Sequence, residues 1–359
     1  MHEVTISQWD KLSKKDKKNV NKIIFPGTKK IANVKDRPTM AFATMCKNEE
    51  HCLGKTLDCV KDYVDYVVVA DNGSTDGTFD IVRNYFKDTG IPGAWHIDKW
   101  YGFDKNKTLM MSYVKDKTDY VIHLDADDFF QGNFKFDFVD AGKDLYYIVN
   151  KRGGSNYKCS IIYDNRLTWR FCGVAHTIIK ASERPNAMSI GEFTEEVAWI
   201  DNAGTGARAL DPEKFLGDAK RLSKQYWDTL INDPDNLNSR SVFYCAQSYL
   251  DQGGKYIVNS LQWYKKYLTL RNTWFEEEYE SLLSIARIKL ALNNLPEYGY
   301  KFTFEEIEQD FLTAINTCNG RAEAYHRLGK LYNQNKMFNK SYDILSKAKK
   351  INIQEAKDT

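Results

Sequence analysis

Short apolar runs alternate with longer amphipathic segments over residues 39–200, and this alternation limits the fold more than any other feature of the chain. Runs of strand length lie at residues 40–45, 64–70, 94–97 and 120–124. The segments between them have the length of helices, about ten residues each. Strands that alternate with helices imply crossover connections and a mostly parallel sheet. The pattern therefore predicts an α/β domain.

The pattern changes to helix alone after Asp211 and Pro212, a pair that suits the N-cap and the first residue of a helix. Three later segments resemble one another and carry the small residues Ala246, Ala286 and Gly329 at matching positions. The last of these lies in a Leu-Gly-x-x-Tyr sequence, the core of a tetratricopeptide repeat (TPR). Stacked helical pairs of this kind form a solenoid with a concave surface.

These patterns divide the chain into three parts. The lysine-rich segment at residues 1–37 is interpreted as an N-terminal arm, either a solvated helix face or a partner-binding element. Residues 38–205 form the predicted α/β domain, and residues 206–359 form an all-α, TPR-like domain. A flexible join rich in glycine and small residues, 202–207, marks the boundary.

Bulk properties exclude several classes of protein. The 51 basic and 49 acidic residues nearly cancel, which argues against a nucleic-acid surface spread over the whole chain. No apolar stretch reaches the roughly 20 residues that a membrane span needs, and the polar start lacks the pattern of a signal peptide. Seven cysteines without a Cys-x-x-Cys pair fit a reducing compartment and argue against a thiolate zinc site. We therefore expect a cytoplasmic protein without a membrane span.

The strand-like run at residues 120–124 ends in three carboxylates, Asp125, Asp127 and Asp128. At the carboxyl end of a strand in an open α/β sheet, side chains project into the crevice where ligands bind. Carboxylates can hold a divalent cation against a substrate phosphate. The alternative is a solvated turn that ends the strand, because aspartate also favours turns.

Two earlier strands run into polar segments as well. Residues 44–50 follow the first strand, and residues 71–78, Asp-Asn-Gly-Ser-Thr-Asp-Gly-Thr, follow the second. Most of this second segment is explained as a turn between a strand and a helix. Asp71 differs, because it stands directly at the strand end where a ligand would lie.

Taken in order, residues 45–50, 67–78 and 123–128 resemble the family 2 glycosyltransferases of GT-A fold, whose DxD motif corresponds to the third block. The helical half is similar to family members that carry C-terminal TPR-like helices. The resemblance implies a Rossmann-like GT-A catalytic domain with a mostly parallel sheet. It also implies a UDP-sugar as donor substrate and Mn²⁺ or Mg²⁺ as cofactor.

The resemblance also implies which residues bind the donor. The uridine-binding edge would lie at the ends of the first two strands and comprise Thr44, Cys46, Glu49, Asp71 and Asn72. Lys105 stands where the family often has an arginine facing the donor, although lysine lacks the bidentate fork of arginine. Arg208 would close over the diphosphate.

The same resemblance assigns the metal to the aspartates. Asp127 would ligate the cation, Asp125 would contact the ribose or the metal, and Asp128 could take either role. His176 lies in a segment that resembles the family's Trp/Phe-x-Gly-Val-His-Glu sequence and would be a third metal ligand or a phosphate contact. A lone histidine is more often structural, and Thr177 stands where the family usually has glutamate.

An inverting transfer also needs a general base within hydrogen-bond reach of the acceptor hydroxyl. Glu192 and Glu195 are the candidates, and Glu196 and Asp164 are alternatives that the sequence does not separate from them.

The sequence thus predicts a metal-dependent inverting glycosyltransferase that moves a hexose from a UDP-sugar to a hydroxyl of a glycan or protein. The resemblance favours glucose as the hexose. The helical domain would hold the acceptor, a protein partner or a second copy in a homodimer. One alternative is a TPR-type scaffold with an inactive GT-A domain. The other is a sugar nucleotidyltransferase, which needs a glycine-rich loop where this chain has Cys-Lys-Asn-Glu-Glu at residues 46–50.

Overall fold

A computed structural model describes most of the chain and divides it into two compact units, Met1–Pro212 and Glu213–Thr359. The described residues are 2–29, 37–137, 141–234, 237–271 and 273–351. The division falls after Pro212, so the join that the sequence placed at the domain boundary belongs to the first unit. Within the described ranges, no helix is both long and apolar enough to cross a membrane.

The first unit is organised around one mixed, mostly parallel sheet and a separate two-stranded hairpin. Its strands are His2–Thr5 (β1), Val20–Phe25 (β2), Met40–Cys46 (β3), Tyr66–Asp71 (β4), Gly93–Ile97 (β5), Tyr120–His123 (β6), Asp128–Gly132 (β7), Leu145–Arg152 (β8), Ser155–Asp164 (β9), Trp169–Cys172 (β10), Ile178–Ala181 (β11), Ile190–Glu192 (β12) and Ala198–Asn202 (β13). They follow the order β1-β2-β5-β4-β3-β6-β9-β8-β13-β7, with β12 paired to β8 and β10 paired to β11. The predicted α/β, Rossmann-like architecture is confirmed.

The four neighbouring strands β5, β4, β3 and β6 are all parallel. The chain moves outward from β3 through β4 to β5, and then crosses to the other side of β3 to form β6. The direction of winding therefore reverses between β3 and β6. Such a reversal opens a crevice at the carboxyl ends of the strands, where open α/β sheets bind ligands.

Helices cover both faces of these central strands. The helices of the first unit are Ile6–Trp9 (α1), Lys14–Lys17 (α2), Leu53–Val60 (α3), Thr78–Thr89 (α4) and Phe103–Val114 (α5). Phe42 of β3 lies in one core with Leu57 of α3. Its neighbours Ala41 and Ala43 lie in a second core with Met110 of α5, because successive side chains of a strand alternate between the faces.

The lysine-rich N-terminal segment is part of this sheet. Strand β2 pairs antiparallel with β5, and β1 pairs with β2. The sequence analysis set residues 1–37 apart because lysines dominate their composition. Val20, Ile23 and Phe25 nevertheless give β2 a buried face, and this burial anchors the segment. Helix α2 buries no residue, and residues 30–36 lie outside the described residues.

The second unit is helical, as predicted. Its α-helices are Lys214–Asn232 (α6), Ser239–Gln252 (α7), Ile257–Tyr267 (α8), Phe275–Asn293 (α9), Phe304–Thr317 (α10), Ala322–Gln334 (α11) and Phe338–Ala348 (α12). Consecutive helices pack on one another, as in a helical solenoid. The repeated small residues Ala246, Ala286 and Gly329 are buried in α7, α9 and α11. A Cβ on Gly329 would lie 2.6 Å from the side chain of Leu345, so α11 and α12 approach each other closely at this glycine.

Candidate active site

Polar side chains from three adjacent parallel strands meet at one edge of the sheet. The register pairs Cys46 at the end of β3 with Asp71 at the end of β4. It also pairs Ala43 with His123 at the end of β6, so Asp125 lies just beyond the end of that strand. Because the strands are parallel, these ends face the crevice at the winding reversal. The structure therefore brings together residues that the sequence placed at the ends of separate strands.

Asp125 is paired with Lys107 and is also within the electrostatic range of Arg208. The Nζ of Lys107 in α5 is 2.8 Å from Oδ1 of Asp125. The charge of Lys107, and more weakly that of Arg208, lowers the pKa of Asp125. The carboxylate of Asp125 therefore stays ionised at neutral pH while its side chain remains 57% exposed to the crevice.

The lysine of α5 that reaches the site is Lys107, whereas sequence reasoning selected Lys105. Two residues along a helix turn a side chain by about 200°, so Lys105 faces away from Asp125 and is exposed. Asn106 between them is buried and fixes the preceding loop. Its Oδ1 accepts a hydrogen bond from Tyr101 N at 2.7 Å, and its Nδ2 donates to Lys99 O at 2.9 Å.

Arg208 lies in a 3₁₀ helix, Ala207–Leu210, that follows β13. Its guanidinium is 4.6 Å from the ring centroid of Phe103 in α5. A cation above an aromatic face is attracted by the ring quadrupole, which restricts where the guanidinium can point. The charge of Arg208 also acts on Asp125. The expectation that Arg208 closes over the diphosphate stays a prediction.

Asp127 is bound by the loop that follows β13. Its Oδ2 accepts a hydrogen bond from Gly206 N at 2.8 Å. A Cβ on Gly206 would lie 2.9 Å from both Cγ and Oδ2 of Asp127, closer than side chains tolerate. Glycine is thus needed here for close approach rather than for its backbone conformation, since its φ is −58°.

Two side chains from the segment after β3 bind the residues on either side of Gly206. Glu49 Oε2 accepts a hydrogen bond from Ala207 N at 3.2 Å. The Nε2 of His51 lies 2.7 Å from Thr205 O. We call residues 205–207 the clamp loop. The sequence analysis treated this segment as a flexible join, but hydrogen bonds tie three consecutive residues of it to the crevice.

Several buried polar atoms of this edge have no protein partner among the described residues. They are Thr44 Oγ1, Asn72 Nδ2, Asp98 Oδ2 and Asp128 Oδ1. Leaving a buried polar group without a hydrogen bond costs on the order of 1–3 kcal/mol. Such groups concentrated at one edge are explained when a ligand supplies the missing partners.

The end of β4 is adjacent to a polar pair that sequence reasoning missed. Asp71 Oδ1 accepts a hydrogen bond from Ser74 N at 2.9 Å, and burial raises the pKa of Asp71. Beside it, Asp98 accepts a hydrogen bond from Tyr113 OH at 2.7 Å. Asp98 directly follows β5, so the strand-end rule that selected Asp71 could have found it. Burial also raises the pKa of the Cys46 thiol, which keeps that residue neutral.

The carboxylates of the DxD segment fit a hard divalent cation. Mn²⁺ and Mg²⁺ prefer oxygen ligands, and Asp125, Asp127 and Asp128 offer only oxygen. Burial raises the pKa of Asp128, and the charges of Asp125 and Asp127 raise it further. A cation would satisfy the unpartnered Oδ1 of Asp128 and offset this repulsion.

The structure does not bring His176 into a preassembled ligand set with the aspartates. Within the described part of the chain, Glu49, His51 and Cys52 form the one group of three potential ligands whose ligand atoms all lie within 4.8 Å of one another. His176 lies in the turn between β10 and β11 and is exposed. Its φ of 49° is unusual for a residue with a side chain and marks local strain.

The candidate base Glu192 also lies away from the aspartates. Glu192 is paired with Tyr147 near the start of β8, and it forms an ion pair with Lys158 at 2.9 Å. The register through β13 places Asp128 at the level of Arg152, the last residue of β8. The offset from Tyr147 to Arg152 corresponds to roughly 16 Å along the strands.

The other candidate bases are held in local contacts. Glu195 is exposed, and its Oε2 lies 3.6 Å from the Nζ of Lys151. Asp164 forms an ion pair with Arg166 at 2.6 Å. Glu196 is exposed as well. None of these contacts joins a candidate base to the aspartates.

Comparisons with known proteins agree with this arrangement. Residues 42–168 match the sequence model described as glycosyl transferase family 2. Over 91 residues the chain is 33% identical to the lipopolysaccharide core biosynthesis glycosyltransferase LpsC of Rhizobium meliloti (strain 1021), a match that covers 25% of this chain and 32% of LpsC. The chain thus spans about a third of the length of that curated relative.

The similarity to solved structures is low, both in sequence identity and in TM-score. TarS 1-349 of S. aureus, crystallised with UDP-GlcNAc, is 12% identical with a TM-score of 0.31, over 70% of this chain and 83% of that one. MamA is 19% identical with a TM-score of 0.29, over 39% of this chain and 72% of that one. The family match includes the ends of β3, β4 and β6. The chain therefore contains a glycosyl transferase family 2 domain at residues 42–168.

Proposed function

We propose that the protein is a metal-dependent inverting glycosyltransferase that moves a hexose from a UDP-sugar to a hydroxyl of a glycan or protein acceptor. The observation that carries the proposal is the convergence of Asp71, Asp125 and Asp127 at the crevice beside the winding reversal. This edge lies inside the region that matches the family. Glucose is the hexose that the sequence resemblance favours.

The metal and the diphosphate would bind at the DxD segment. Asp127 would ligate Mn²⁺ or Mg²⁺ through Oδ1, because its Oδ2 accepts the N–H of Gly206. When bound, the cation would neutralise charge on the departing nucleoside diphosphate. Lys107 and Arg208, whose charges both act on Asp125, would pair with the phosphate oxygens.

The uridine would bind at the ends of β3 and β4. Asp71 offers carboxylate oxygens to N–H groups, and the unpartnered Asn72 Nδ2 and Thr44 Oγ1 offer donors to carbonyl oxygens. Asp98 and Tyr113 join this set because they lie beside Asp71. A site that leaves these atoms without protein partners is prepared for a polar, planar ligand.

The proposal is tested by donor hydrolysis, which needs no acceptor. We expect the protein to hydrolyse one of a panel of nucleotide sugars slowly, and EDTA to stop the reaction. Asp127→Asn should abolish this hydrolysis without altering the far-ultraviolet circular dichroism. Asp88→Asn, an exposed carboxylate on α4, is the matched control and should keep full activity.

Two outcomes would refute parts of the proposal. Full activity of Asp127→Asn would refute the assignment of Asp127 as a metal ligand. If UDP with Mn²⁺ also fails to raise the melting temperature of the wild type, the chain is better explained as a scaffold with an inactive GT-A domain.

A further inference from the structure

The side chains of Glu49, His51 and Cys52, at the start of α3, form a compact cluster with a chemistry that the aspartates lack. Cys52 Sγ lies 3.2 Å from Glu49 Oε2, and His51 Nε2 lies 4.0 Å from the same oxygen. All the ligand atoms of the cluster lie within 4.8 Å of one another. We propose that Glu49, His51 and Cys52 bind Zn²⁺ in a site separate from the Mn²⁺ or Mg²⁺ position.

The distances suit tetrahedral zinc. Bond lengths of about 2.3 Å to sulfur and 2.0 Å to nitrogen or oxygen imply separations of about 3.5 Å for S···O and 3.3 Å for N···O. The observed 3.2 and 4.0 Å lie within 1 Å of these values. The His51 side chain is 43% exposed and can turn to close the longer gap. Three protein ligands would leave a fourth position for water, as in zinc sites that are not closed structural sites.

The ligand types select the ion. Thiolate and imidazole favour Zn²⁺, whereas carboxylate and water favour Mg²⁺ and Mn²⁺. Binding converts the Cys52 thiol to a thiolate and releases that proton to solvent. His51 ligates through Nε2 as the neutral imidazole, so the proton that Nε2 shares with Thr205 O must leave this nitrogen, and Nδ1 carries the N–H. The sequence argued against a thiolate zinc site because it lacks a Cys-x-x-Cys pair. That argument does not apply to a site with one cysteine, one histidine and one glutamate, because such a site needs no Cys-x-x-Cys pair.

Zinc at this site would remove one of the contacts that hold the clamp loop. His51 Nε2 contacts Thr205 O, and the Glu49 carboxylate accepts the N–H of Ala207. His51 Nε2 would turn to the metal and lose Thr205 O, whereas Glu49 would ligate through Oε2 and keep the N–H of Ala207 on Oε1, which lies 3.3 Å away. The hydrogen bond from Gly206 to Asp127 would also remain. Zinc would also make Glu49 unavailable to the donor nucleotide. This consequence rests on the proposed function, but the binding of zinc does not.

The test uses Co²⁺ as a spectroscopic probe on the full-length, metal-stripped protein without donor. We expect a thiolate-to-cobalt charge-transfer band that Zn²⁺ displaces. Cys52→Ser should lose this band, and His51→Gln should weaken Zn²⁺ binding on the order of tenfold or more. Cys318→Ser and His326→Gln, which change the same residue types in the second unit, are matched controls and should bind as the wild type does.

A charge-transfer band that persists in Cys52→Ser, or unchanged Zn²⁺ affinity in His51→Gln, would overturn the proposal. His51 is exposed, so its variant remains informative even if Cys52→Ser does not fold. Calorimetry of UDP with Mn²⁺ tests the proposed function separately from the zinc site. If the protein does not bind UDP but still gives the cobalt band, only the proposed function is refuted.

Discussion

Gly206→Ala perturbs the clamp loop at a single contact. The new Cβ would lie 2.9 Å from Cγ and Oδ2 of Asp127 and 3.3 Å from Oδ1. The φ of Gly206 is −58° and its ψ is 156°, values that alanine adopts without strain. The effect of the substitution therefore comes from its collision with the Asp127 carboxylate rather than from the backbone.

The expected cost follows from the hydrogen bond that the collision breaks. A hydrogen bond to a charged group contributes about 1.5–3 kcal/mol, and replacing glycine by alanine recovers about 0.4–1 kcal/mol through the unfolded chain. We expect Gly206→Ala to lower the free energy of unfolding of the first unit by about 1–2 kcal/mol. Because the displaced carboxylate is the proposed metal ligand, binding of Mn²⁺ with UDP should also weaken.

Urea unfolding measures the loss of stability, and calorimetry measures the binding of Mn²⁺ with UDP. A double-mutant cycle shows whether the loss of stability arises from the contact with Asp127. Asp127→Ala removes the carboxylate that the new methyl group would strike. In that background Gly206→Ala should cost almost nothing. A cost equal to that in the wild-type background would refute the reasoning, because the collision with Asp127 could not then be its source.

Three further predictions concern other parts of the molecule. Burial lowers the pKa of His96 to about 3. The unfolded chain therefore binds more protons than the folded one, so the free energy of unfolding should fall as the pH drops from about 6.5 to about 3. Urea unfolding of His96→Phe should show a pH dependence of this free energy that is smaller by up to about 1.4 kcal/mol per pH unit. Glu192→Gln and Glu195→Gln should keep transfer rates within about threefold of wild type in an acceptor assay, whereas loss of a general base costs about 10²-fold or more. Gly329→Ala should destabilise the helical unit by about 1–2 kcal/mol in thermal unfolding, because overpacking outweighs helix propensity.

Each of these has an outcome that contradicts it. An unchanged pH slope in His96→Phe would show that this imidazole does not control acid stability. A hundredfold loss in either glutamine variant would identify that glutamate as the base despite its distance in the structure. Gly217→Ala is the control for the helical unit, since its Cβ would meet no atom closer than 3.5 Å and should stabilise the helix. If Gly329→Ala also stabilises the helical unit, α11 and α12 do not pack closely at this position.

Much of the donor site could be predicted from strand ends alone. Asp71 and Asp125 were located because each follows an apolar run, and parallel strands must present their carboxyl ends together. The same rule would have found Asp98, which was missed only because β5 is short and its end was not considered. The sequence resemblance selected Lys105, whereas Lys107 is the lysine that pairs with Asp125. The resemblance could not show this, because the helix turns each successive side chain by about 100°.

The sequence by itself determined the α/β unit, the helical unit and the aspartates at the end of β6. Periodicity and the position of a residue at a strand end are local properties, so they can be read along the chain. Only the tertiary structure decided that the clamp loop binds Asp127 and Glu49, residues that lie 79 and 158 positions away from their loop partners. It likewise placed Glu192, a candidate base in the sequence analysis, on β12 in an ion pair with Lys158. Such contacts depend on the order and register of the strands, which no local pattern specifies.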